Sequence, residues 1–126
     1  MAVDSTTNKA IVPTICDGLV GIYNLGRKTG AAANPHGFVN LYPAVDQTRG
    51  QILMDQVVPG DFGINNNAMS SAVVMDESGN VLATREQFFF FNTFLSLDAN
   101  NLQVNPATRT AYTFGPGQLE LEPFSY

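Results

Sequence analysis

Four consecutive phenylalanines, Phe88 to Phe91, constrain this chain more than any other stretch. Successive side chains of a strand point to opposite faces. Phe88 and Phe90 would therefore cover one face, and Phe89 and Phe91 the other. A strand that is apolar on both faces cannot lie between a core and water. Its second face needs a cover, from this chain or from another molecule. Phe94 and Leu95 follow closely and extend the same apolar surface. Charged residues make up only 13% of the chain, against roughly 25% in an ordinary soluble domain. Both features predict a protein that sticks rather than one that catalyses.

Helical periodicity is nearly absent, and glycine and proline interrupt the chain every few residues. Short β-prone runs recur instead, at Ala10–Ile15, Leu19–Tyr23, Phe38–Tyr42, Gln51–Val58, Ser71–Met75, Val81–Arg85, Gln87–Leu97, Arg109–Phe114 and Gln118–Glu122. This spacing predicts an all-β fold, a single β-sandwich or a compact Greek-key barrel. Residues 1–9 read as a polar N-terminal arm and 10–126 as one β domain. The clearest hairpin spans Val73 to Leu82, with Asp76 to Asn80 as its turn and Gly79 at the left-handed position. The longest irregular stretch runs from Gly26 to Gly37. Leu119 to Glu122 alternate strictly, and Pro123 is expected to end that ladder. Phe124, Ser125 and Tyr126 then form an aromatic tail with no strand of its own. No repeat of the whole chain is expected.

The 126 residues carry a net charge of −5 with only six Lys and Arg. Nucleic acid and acidic membrane surfaces both need clustered cations, so neither is an expected partner. Cys16 is the only cysteine, which excludes an internal disulfide and fits a buried, inert thiol. His36 is the only histidine, so sites with two or more histidine ligands are excluded. Arg27-Lys28-Thr29-Gly30 lacks the leading glycine and the following helix of a phosphate loop. No nucleophile elbow is present, and the acidic pair Asp76-Glu77 sits in a turn, where carboxylates are commonplace. The chain is therefore not expected to be an enzyme. It has neither an apolar run near 18 residues nor the layout of a signal peptide.

Two resemblances add to this reading. Leu41-Tyr42, Gly50-Gln51-Ile52, Pro59-Gly60-Asp61-Phe62 and Asn66-Asn67-Ala68-Met69-Ser70-Ser71 together resemble one Greek-key motif of the βγ-crystallin family, over residues 38–76. The family's aromatic residue two places before the glycine is Thr48 here. The resemblance implies a calcium-binding module in which Asn66, Asn67, Ser70 and Ser71 contribute hard oxygen ligands to Ca2+. In low charge and in asparagine, threonine, alanine and glycine content, the whole chain resembles the small β-rich virion proteins of tailed phages, capsid decoration or cement proteins above all. That resemblance implies a structural assembly role in the virion, with no cofactor. The partners would be further copies of the chain, as a homo-oligomer, and other capsid subunits. Phe88, Phe89, Phe90, Phe91 and Phe94 would form the buried surface, and Phe124 and Tyr126 would be outlying contacts.

Overall fold

The computed structural model describes residues 1–14, 17–35, 39–57, 67–92, 101–114 and 122–126. Among these residues eleven strands follow one another: β1 Ala2–Asp4, β2 Lys9–Pro13, β3 Val20–Asn24, β4 Thr29–Ala33, β5 Val39–Asp46, β6 Gln51–Val57, β7 Asn67–Asp76, β8 Val81–Asn92, β9 Asn101–Asn105, β10 Thr110–Phe114 and β11 Glu122–Ser125. They form three antiparallel sheets in strictly sequential order. Sheet A is β1 to β4, sheet B is β5 to β8, and sheet C is β9 to β11. The all-β class holds. The sheets do not close into a barrel, and each is an up-and-down meander with no Greek-key crossing among the described strands.

The tight turns explain the meanders. β1–β2, β3–β4, β5–β6 and β9–β10 are each joined by four residues whose fourth member has positive φ: Asn8, Lys28, Gly50 and Arg109. Each of these turns follows an Asp or Asn that ends the first strand. The Asp4 Oδ1 accepts from the Thr6 and Thr7 N–H groups at 2.7 and 3.1 Å. The Asn24, Asp46 and Asn105 oxygens accept in the same way from Arg27, Thr48 and Ala107. A carboxylate or amide placed there satisfies turn N–H groups that have no ladder partner, so the reversal is encoded locally. At Asn8, Lys28 and Arg109 a side-chain-bearing residue takes the left-handed conformation, which usually costs an L-residue about 1 kcal/mol.

The fifth hairpin, β7–β8, turns at Asp76, whose Oδ1 accepts from Ser78 and Asn80 at 2.9 Å each. Gly79 takes φ +93° there, as its position in the sequence predicts. A Cβ on Gly79 would also lie 2.7 Å from that of Ala33 in sheet A. Gly79→Ala should therefore destabilise by about 1–2 kcal/mol, through both backbone strain and this inter-sheet clash. Chemical denaturation would measure it, and an unchanged midpoint would contradict the geometry.

Sheet B is the middle layer. One of its faces gives Ile52, Met54, Val73 and Met75 to a core shared with Ile11, Val20 and Ile22 of sheet A. The other gives Leu53 and Val74 to a core shared with Leu102 and Ala111 of sheet C. Period-two alternation along β6 and β7 produces both surfaces, since neighbours such as Ile52 and Leu53 point opposite ways.

Several strand expectations are corrected. The N-terminal arm is not an arm, because Ala2–Asp4 pairs with β2 in register Ala2↔Ile11. The long irregular stretch contains β4, paired along β3. Val81–Arg85 and residues 87–92 are not two strands but parts of one, β8, and the rest of the Gln87–Leu97 run lies outside the described residues. Asn101–Asn105 was not foreseen at all. Pro123 does not end the final ladder. It lies inside β11 opposite Tyr112, on an edge strand where its missing N–H is tolerated.

Candidate functional site

Two polar seams join the layers, and both start from the first turn of a sheet. Asp46, at the β5–β6 turn, is completely buried. Its Oδ2 accepts from the Tyr126 hydroxyl and from Arg49 Nη1, both at 3.0 Å. The same Arg49 nitrogen donates to the Pro106 carbonyl at 2.8 Å, so sheet C is tied twice to this turn. Burial by itself would push the Asp46 carboxyl up. Hydrogen bonds from Thr48, Arg49 and Tyr126 outweigh burial and hold it below the ordinary carboxylate value. The Tyr126 hydroxyl is pushed up to about 12, by burial and then by donating to the Asp46 carboxylate.

Asp4 occupies the matching place in sheet A and is likewise completely buried. Burial would raise its carboxyl, yet it is lowered, with the Thr7 and Thr6 N–H groups donating to its Oδ1. Glu77 comes from the β7–β8 turn of sheet B. It accepts from Lys9 Nζ at 2.6 Å and from the Thr7 hydroxyl at 2.7 Å. Gln47 adds a further tie between the sheets, to Ser5 and to the Val3 carbonyl. Asp4 Oδ2 and Gln51 Oε1 are buried without a hydrogen-bond partner. Beside this seam an open groove of about 270 Å³ runs between β4 and the Glu77–Ser78 turn, floored by the Lys9–Glu77 pair. Among the described residues, no three His, Cys, Asp or Glu side chains gather as metal ligands would.

Aligning the sheets on Asp4, Asp46 and Asn105 exposes a repeat. The residue just before each is valine: Val3, Val45 and Val104. Val45 packs on the sheet A core and Val104 on sheet B. Ala10, Ile52 and Ala111 also correspond. Ile52 faces sheet A, and Ala111 faces sheet B. Positions of this set therefore face the preceding sheet. In sheet A, where the described residues include no preceding sheet, they form an outer face.

The residues of that outer face are apolar or small apart from the Tyr23 hydroxyl. Register places Val3, Ala10, Tyr23 and Gly30 in one row, with Val12, Gly21 and Ala32 in the next. Val3 is 45% exposed and Tyr23 48%. The Tyr23 ring lies across Gly21 and Gly30, where any Cβ would collide with it. No family model matches this chain, and no curated protein is a detectable relative.

The residues singled out from sequence fall elsewhere. Phe88 to Phe91 do lie in a strand, β8, where the register moves from Ser70↔Gln87 to Ala68↔Phe91 through an irregularity. Phe94 lies outside the described residues, as do Asn66, Cys16 and His36. Asn67, Ser70 and Ser71 belong to β7, paired antiparallel to β8. The aromatic tail is a strand for most of its length. Phe124 pairs with Ala111, and Tyr126 packs on the second core while bonding Asp46. Tyr126 is thus engaged within its own chain rather than reaching outward. Sequence reading missed Asp4, Asp46 and the sheet A face. The signal was available as Val-Asp, Val-Asp and Val-Asn, each before a turn that ends in a left-handed residue.

Proposed function

We propose that the chain is a structural assembly protein that works by laying a β-sheet face against another protein, as a virion component of the decoration or cement type. The observation that supports this is the outer face of sheet A. Val3, Ala10 and Val12 there occupy the positions that are packed between layers elsewhere in the chain. Ala10 is already buried, but Val3 is 45% exposed, and an inter-sheet residue type left in water gains by being covered. The virion setting is supported by composition: 13% charged residues and few cations for electrostatic partners.

A photo-crosslinking residue at position 32 tests the reading in the particle or cell that carries the protein. It should give a discrete protein adduct that disappears when Val3→Lys is added. Absence of any discrete adduct, or an adduct indifferent to Val3→Lys, would overturn the assembly role. An adduct containing a shell subunit supports the virion setting, and adducts with none remove that setting alone.

A further inference from the structure

We infer that the cover of the sheet A face is sheet C of a second copy of this chain, two copies closing into a ring of six sheets. The inference rests on the assembly reading above and names the partner.

The two ends of the stack complement each other by the rule that builds its interior. In sheets B and C, the residues equivalent to Val3 and Ala10 pack against the sheet before them. In sheets A and B, the residues one place further on, Ile11 and Leu53, pack against the sheet after them. The equivalent in sheet C is Tyr112. Ala111 beside it points into the core, and Tyr112 shares its row with Gln103 and Pro123 on the opposite face. Asp46 accepts from Tyr126 of the following sheet, and the turn that follows Asp4 reaches Glu77 of the following sheet through the Thr7 hydroxyl. Asn105, their counterpart, is exposed on sheet C. Sheet A therefore presents a surface made for a preceding sheet, and sheet C one made for a following sheet.

First strands also adjoin first strands, β1 against β5 and β5 against β9. Stacking with one strand of each sheet toward a common line is radial repetition, and such rings close with roughly four to eight sheets. Three sheets from each of two copies fall within that range. The A-to-C contact joins unlike surfaces, so it must close on itself or propagate as a filament. Two copies related by a two-fold axis make the contact twice and leave neither face open.

Gel filtration with light scattering tests this on the full chain. The expected species is discrete, with twice the 13.6 kDa chain mass. Val3→Lys on the sheet A face and Tyr112→Lys on the sheet C face should each give a monomer with native circular dichroism. Mixing the two variants should give a dimer weaker than wild type, because one contact joins the two unmodified faces while the other carries both lysines. Ala32→Arg, at an exposed position of the same A face, replaces Val3→Lys if that variant fails to fold. A wild-type monomer at the highest soluble concentration overturns the inference. So does a Tyr112→Lys variant that remains dimeric, which would mean that sheet A packs on sheet A. A monomer that still gives the position 32 adduct with another protein leaves the assembly role standing and removes the second copy as partner.

Discussion

Asp46→Ala should lower the free energy of unfolding by about 3 kcal/mol, the scale for removing one partner from a buried, charged hydrogen-bond cluster. The carboxylate takes bonds from Thr48, Arg49 and Tyr126 at once, and its loss leaves those donors facing a hole. Asp46→Asn should recover part of the loss, since an amide oxygen still accepts from the turn N–H. Tyr126→Phe keeps the ring on the sheet C core and removes one hydroxyl, which should cost about 1 kcal/mol. Urea midpoints would give all three, and an Asp46→Ala variant within 0.5 kcal/mol of wild type, roughly the scatter for surface changes, would refute the strut.

The same seam sets a pH dependence at both ends of the scale. The Asp46 carboxyl is held below its ordinary value in the folded state, so its contribution is complete above the unfolded carboxylate value and is lost as pH falls through the folded one. Tyr126 behaves oppositely. Its hydroxyl moves from 10.0 up to about 12, so its contribution is complete below pH 10 and fades as pH climbs through 12. In Asp46→Ala both limbs should flatten.

Leu53→Ala should cost about 2–5 kcal/mol, the range for truncating a completely buried leucine whose cavity cannot collapse. Its location adds a regional signature. Leu53 faces Leu102 and Ala111, whereas its neighbour Ile52 faces the sheet A core. Hydrogen exchange in Leu53→Ala should therefore accelerate first in β9 and β10, and in Ile52→Ala first in β2 and β3. Equal acceleration everywhere in both variants would show that the two cores unfold as one.

The β class was legible because turn chemistry and short apolar runs are local properties. The β7–β8 hairpin was recognisable from Asp76 and Gly79 alone. β1 and β4 were not, for a common reason. Ala2-Val3-Asp4 is too short to show alternation, and Thr29-Gly30-Ala31-Ala32-Ala33 has no large apolar side chain. Pairing from β2 and β3 makes strands of them, and no window confined to either segment contains that information. Neither Asp4 nor Asp46 stands out in the sequence. Their complete burial depends on the folded stack, in which sheet C supplies the Tyr126 hydroxyl to Asp46. From sequence alone Pro123 predicts a stop that leaves Tyr126 in a free tail, yet on an edge strand a proline loses nothing the ladder needs.

Contacts between the described layers run from A to B and from B to C. Such an arrangement behaves as a short series of coupled units, in which each layer responds to its immediate neighbours. Among the described residues of one chain, the middle layer then links the two outer layers, so a change in one reaches the other through it.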